Sequence, residues 1–241
     1  MPLAALTHLA GSVAKSRASR WWIPFYMRVY GIDPDEAEKA WREYASLSEF
    51  FSRRLHAHAR PAPLDAGLVL SPVDGIVREM GQLQNDRLLQ AKGVPYAVAD
   101  LLVEGDGFAG GEYITLYLSP KDYHRIHVPV AAKLVSVRRV HGSFFPVNRI
   151  GVSAIPGLYA NNERVVVHLQ TQSGRCALVA VGATVVGSVH WQEQASYEQG
   201  EECGWFELGS TVILMFAPGL VEWSVQTGAV VRARAPLGRE K

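Results

Sequence analysis

Two hydrophobic periodicities divide the chain. Up to about residue 60, apolar positions recur at helical spacing. Leu6, Leu9, Ala10 and Val13 lie three and four apart, and Ala37, Ala40, Trp41 and Tyr44 fall near one face. Asp33-Pro34 supplies a cap and a proline at the first helical position, which predicts a helix through "DEAEKAWREY". Ser46 and Glu49 have capping-box spacing ahead of "FFSRRL". "HAHARPAPLDAG" breaks the pattern and reads as a connector.

From Leu68 the pattern becomes that of strands. "LVLSPVDGIVREM" is a strand-turn-strand signal, followed by "EYITLYLS", "HVPVAAKLVSVRRV", "RVVVHLQ", "CALVAVGATVVGSVHW", "TVILMF" and "AVVRARA". Only "PYAVADLL" and the turn "SPKDYH" read as helical here. Many short strands with little helix between them predict an α+β fold, predominantly antiparallel β. The expected architecture is a β-rich barrel or sandwich body, residues 61–241, behind a helical N-terminal arm, residues 1–60.

Composition narrows the function classes. With 241 residues and 48% hydrophobic content the chain can bury one sizeable core. Lys plus Arg number 24 against 23 Asp plus Glu, so net charge gives no case for nucleic acid. Cys176 and Cys203 form neither a disulfide framework nor a zinc set, and suit a reducing compartment. No run of 18 apolar residues and no signal-peptide pattern are seen, which places the expected location on the cytoplasmic side. Charge is uneven locally. Residues 1–32 hold Lys15, Arg17, Arg20 and Arg28 and no acid, interleaved with Trp21, Trp22, Phe25, Tyr26 and Tyr30. Such a stretch either packs on its own domain or meets an anionic membrane surface.

Four stretches could carry chemistry. At Gly209-Ser210 the flexible glycine and the following hydroxyl stand at the mouth of an apolar strand. The hydroxyl could attack the preceding carbonyl if a base were near, turning amide into ester; elimination and hydrolysis would then leave a pyruvoyl group. The plain alternative is a tight strand entrance. In "YLSPKDYHRIHVPV", His124 and His127 would share one side of a helical turn but not of a strand. No third ligand has convincing spacing, so no metal is expected, and two structurally satisfied histidines are the alternative. Asp74 in "SPVDGIV" is either a turn residue or the orienting acid of a histidine. "NNER", Asn161 to Arg164, either lines a pocket or forms a hairpin shoulder.

In order, "FFSRRL", "SPVDG", "LLQAKG", "YLSPKDYHRIHVPV", "FFPVN", "NNERVV", "VGATVVGSV" and "GWFELGSTVILMFAPG" resemble the bacterial phosphatidylserine decarboxylases, from about residue 20 to about residue 225. The resemblance implies self-cleavage at Gly209-Ser210 into a large chain, 1–209, and a small chain, 210–241, with Ser210 converted to a covalent pyruvoyl cofactor. It implies that His127 deprotonates Ser210, that Asp74 orients His127, and that His124 serves decarboxylation with a pKa near neutrality. The substrate implied is phosphatidylserine, bound through its amine as a Schiff base, and the enzyme would be peripheral on the cytoplasmic face of the membrane through its N-terminal arm. Pro146 stands where members often have Ser, and Cys203 where Met is common. Oligomeric state is left open, a homo-oligomer included.

Three rival readings keep parts of this pattern. One is a pyruvoyl decarboxylase for another amino acid or lipid headgroup. Another is an uncleaved β-barrel binding module, for which Lys92 in "QAKG" is a poor carrier lysine. The third is a Ser-His-Asp hydrolase, which lacks the G-x-S-x-G elbow.

Overall fold

The strand Ser210–Phe216 lies at the centre of an eight-stranded sheet. All seven of its residues are buried, as a strand covered on both faces requires. In spatial order the sheet runs Ser196–Tyr197, Ala132–Val140, Arg164–Gln170, Arg175–Gly182, Ser210–Phe216, Glu112–Leu118, Gly75–Gln82 and Val230–Val231. Every neighbouring pair is antiparallel. These relations come from a computed structural model that describes residues 11–84, 87–90, 94–103, 107–183, 189–207 and 210–241. Gly209, Lys92 and the apolar positions Leu6, Leu9 and Ala10 lie outside the described residues.

Side-chain alternation on the central strand separates two cores. Val212, Leu214 and Phe216 join one, and Ile213 and Met215 the other. The first core is closed by two three-stranded sheets. One orders Leu68–Leu70, Pro236–Glu240 and Val221–Trp223; the other orders Val189–Trp191, Glu202–Phe206 and Arg125–His127. The second core is closed largely by the short helices Val98–Leu102, Arg149–Ala154 and Leu158–Asn161. The result is a layered, sheet-rich α+β body.

The barrel alternative is corrected. The eight-stranded sheet is open, ending in two-residue strands at both edges. Strands this short leave little unpaired edge to expose. The strand-turn-strand reading around "SPVDG" holds locally, yet its two strands part. Leu68–Leu70 pairs with Pro236–Glu240, whereas Gly75–Gln82 joins the main sheet. Gly75 permits this by close approach: a Cβ there would sit 2.4 Å from the Tyr117 carbonyl oxygen.

The arm also departs from expectation. Ile23–Tyr30 and Leu47–Phe51 are α-helices, and Ser46 caps the second by accepting from Glu49 N–H. The long helix expected from Asp33 is instead two single 3₁₀ turns, Pro34–Glu36 and Trp41–Glu43. Ala37 bridges to Leu55, and Glu36 and Glu38 exchange backbone hydrogen bonds with His56 and Arg54. These tertiary pairings take the backbone groups that a helix would need, and local propensity is too weak to resist them. In "PYAVADLL" the first half is strand and only Val98–Leu102 is helix.

Candidate active site

Three motifs distant in sequence meet through the backbone. His127 N–H donates to the Pro72 carbonyl, joining "DYHRIH" to "SPVDG". Phe206 N–H donates to the His124 carbonyl, joining "DYHRIH" to "GWFELGS". Ser210 then opens the central strand, opposite Leu118 on one side and Gly182 on the other. Leu118 leads into the Ser119–Asp122 turn, which Asp122 closes by accepting from Ser119 N–H and Oγ–H at 2.7 and 2.8 Å. The turn delivers His124 immediately before the strand Arg125–His127.

His124 is fully buried. Its Nδ1–H donates to the Asp122 carbonyl at 2.7 Å, because a carbonyl can only accept. Nε2 is therefore the lone-pair nitrogen, and it is buried without a hydrogen-bond partner. The Phe51 ring covers the imidazole with centroids 3.8 Å apart. Burial lowers the His124 pKa to about 3, and the Arg53 cation adds to the depression. The neutral imidazole is thus the resting form, where the sequence suggested a group poised near neutrality.

His127 occupies a different environment. Nδ1–H donates to the Gly200 carbonyl at 2.9 Å, and Nε2 accepts from the Tyr123 hydroxyl at 3.2 Å. Burial, then the nearby Arg234 charge, lowers its pKa to about 4. The two histidines share no partner: Arg125–His127 is strand, not helical turn. Asp74 does not bond to His127. Its carboxylate accepts from Arg60 Nε at 2.9 Å, Arg60 Nη2 at 2.6 Å and Ala233 N–H at 2.7 Å. Arg60 also holds the partly exposed Glu36, forming an acid-arginine-acid group whose Asp74 end is buried. Asp74 still acts on His127 through space as a favourable charge. His127, Tyr123 and Arg60 border one cleft of about 330 Å³, together with His56, Glu202 and Arg234.

Ser210 Oγ is buried and makes no hydrogen bond. An unpaired buried hydroxyl is an exception among folded proteins, and sites of chemistry are where such exceptions concentrate. The bland reading, a hydroxyl that satisfies the backbone at a strand entrance, is not what the structure shows. "NNER", by contrast, is scaffolding. Asn162 bonds Phe145 and the Gly182 carbonyl opposite Ser210, and Arg164 bonds the carbonyls of Leu101, Ala160, Asn162 and Asp100. Among the described residues no group of three His, Cys, Asp or Glu gathers as a metal set.

A model of the family described as phosphatidylserine decarboxylase matches residues 47–239. The chain belongs to the phosphatidylserine decarboxylase family. A phosphatidylserine decarboxylase proenzyme of Brevibacillus brevis is 41% identical over 93% of this chain and 89% of its own. One from an Anaeromyxobacter species is 41% identical over 99% and 95% respectively, and one from Myxococcus xanthus 40% over 88% and 84%. As a member of this family the protein is a carboxy-lyase. The residues that sequence reasoning missed are those that hold the candidate ones: Arg60 on Asp74, Tyr123 on His127, and Phe51 on His124. Phe51 sat in a quoted motif; Arg60 lay in a stretch read only as a connector.

The depressed histidines give this decarboxylase a defined acid sensitivity. In the unfolded chain both titrate near 6.5; folded, near 3 and 4. Between these limits the unfolded state binds more protons, so stability falls as pH drops below about 6.5. Two such groups set a limiting slope of about 2.7 kcal/mol per pH unit. Urea unfolding of the Ser210→Ala chain at pH 7.5, 6 and 5 should show this decline. A flat response would place both rings in water-accessible surroundings.

Proposed function

We propose that the chain cleaves itself between Gly209 and Ser210 and converts Ser210 into a pyruvoyl group, then decarboxylates phosphatidylserine to phosphatidylethanolamine. The observation that carries this reading is Ser210 Oγ, buried and unbonded at the first position of the central strand. A hydroxyl with no competing partner is free to attack the carbonyl that precedes it. His127 takes its proton, and the Asp74 charge favours the imidazolium so formed. With Nδ1–H fixed on Gly200, the basic Nε2 must exchange its Tyr123 contact for the Ser210 proton, directly or through the hydroxyl. When formed, the pyruvoyl ketone would condense with the substrate amine and accept the electrons released with carbon dioxide. His124, its tautomer fixed by Asp122, presents Nε2 as the group that moves the proton at the substrate α-carbon. After cleavage the two chains stay together, since residues 210–216 are held by seven register pairs on each side.

The test is intact mass under denaturing conditions. The expected result is two chains split between Gly209 and Ser210, the smaller lighter by one ammonia than its free-serine form. A single full-length chain after incubation with lipid would return the protein to the binding-module reading. Fluorophosphonate labelling of Ser210 would instead support the hydrolase.

The membrane reading belongs to the same proposal. Among the described residues no helix is long and apolar enough to cross a membrane. Trp21, Trp22 and Phe25 are each more than 60% exposed, with Val13 and Val29 close behind. They sit among Lys15, Arg17, Arg20 and Arg28, the combination that seats aromatic rings at headgroups and cations at phosphates. This face would hold the enzyme peripherally on the cytoplasmic leaflet. The triple variant Trp21→Ala/Trp22→Ala/Phe25→Ala should cleave normally and bind anionic vesicles at least tenfold more weakly by sedimentation. Unchanged sedimentation would remove this face from docking.

A further inference from the structure

The turn that carries His124 is gripped from outside by the N-terminal arm. Its three successive carbonyls are all taken: Pro120 by the Tyr26 hydroxyl at 2.5 Å, Lys121 by Arg53 Nη2 at 3.2 Å, and Asp122 by His124 itself. Tyr26 belongs to the helix Ile23–Tyr30, and Arg53 follows the helix Leu47–Phe51. Arg53 is 96% buried by its 4% relative exposure, yet Nε and Nη1 have no hydrogen-bond partner. Among the described residues it forms no ion pair. The acids that its charge reaches, Asp74 and Glu36, are bonded to Arg60. The other cations lining the 230 Å³ cleft beside it are paired: Lys39 with Glu49, and Arg54 and Arg125 with Glu202.

A buried guanidinium with two unmet donors is costly to keep, and each of these donors can meet an oxygen of an oxyanion with a charge-assisted hydrogen bond. We propose, resting on the decarboxylase reading above, that Arg53 binds the phosphodiester of the lipid substrate. The substrate carries two anionic groups, and the reaction chooses between them. A cation on the carboxylate would stabilise the ground state, whose charge leaves that group as carbon dioxide forms, and so would raise the barrier. The phosphodiester keeps its charge throughout, so holding it anchors the substrate without opposing the chemistry. Pairing would also neutralise the charge that helps to depress His124, raising the proton affinity of that ring as substrate arrives.

The test compares mature enzyme carrying Arg53→Gln or Arg53→Lys with the unaltered protein. Two substrates in the same micelles are used: phosphatidylserine, and a long-chain O-alkyl serine that keeps amine and carboxylate but lacks phosphate. Self-cleavage is checked first by mass. For Arg53→Gln the expected result is KM for phosphatidylserine raised at least thirtyfold with kcat changed less, and a loss of kcat/KM for the O-alkyl serine at least tenfold smaller than the loss for phosphatidylserine. Arg53→Lys should fall between. Unchanged KM would overturn the proposal, and equal loss on both substrates would overturn it in favour of the carboxylate. Should neither variant mature, competition on the unaltered enzyme decides. At matched ionic strength dimethyl phosphate should inhibit at least tenfold more strongly than acetate, and an equal or reversed ranking would overturn the assignment. Failure of the decarboxylase reading is separate: the unaltered protein would then release no carbon dioxide from phosphatidylserine.

Discussion

Ser210→Ala should yield one uncut chain of 26.4 kDa with no decarboxylase activity and a melting temperature at or above that of the parent precursor. The chemical half of this expectation follows from position. Ser210 supplies both the Oγ that attacks, which departs with the Gly209 carboxylate on elimination, and the Cα that hydrolysis turns into the ketone carbon, so its loss removes cofactor and catalysis together. The stability half follows from burial. Oγ is fully buried and unbonded, so the native fold already bears its desolvation, roughly 1–3 kcal/mol for a hydroxyl. Removing it leaves no partner unsatisfied and relieves that burden. Mass spectrometry reads the first half and a melting curve the second. A cleaved Ser210→Ala chain would sink the assignment of the scissile bond. An uncut but strongly destabilised chain would show that Oγ has a structural partner after all.

His124→Gln should separate maturation from turnover. Cleavage should go to completion, since the proton on Ser210 is assigned to His127, while kcat falls by about 10²–10⁴, the usual worth of a placed acid-base group. Glutamine can keep a donor toward the Asp122 carbonyl, so the turn and its grip by Tyr26 and Arg53 should survive. The loss would then report on the Nε2 lone pair and not on a collapsed turn. The measurements are the mass of the small chain and carbon dioxide release from phosphatidylserine. Full turnover would remove His124 from the chemistry. An uncut chain would instead assign His124 to processing, a role its closeness in sequence to Ser210's sheet partner Leu118 would allow.

Much of this protein was written locally. The run Ser210–Phe216 has no polar residue after Thr211, and a strand so apolar can only lie between two neighbours with both faces covered. Asp74, His124, His127, Gly209 and Ser210 were legible as residues of a recognisable order, because motif spacing survives in sequence. The α+β, mainly antiparallel character was likewise readable from short strands punctuated by Gly, Pro and Asn. What sequence could not determine was closure and pairing. Whether eight strands shut into a barrel depends on strand tilt and on which edges meet, and no local signal encodes that. The helix expected after Asp33 failed for the same reason: Ala37, Glu36 and Glu38 were claimed by Leu55, His56 and Arg54 from beyond the next turn. The partners of the site residues were also decided only in three dimensions. Arg60 on Asp74, Tyr123 and Gly200 on His127, and the free donors of Arg53 beside the His124 turn each depend on where a distant segment packs, and burial, helped by the Arg53 and Arg234 charges, then set the charge state of both histidines.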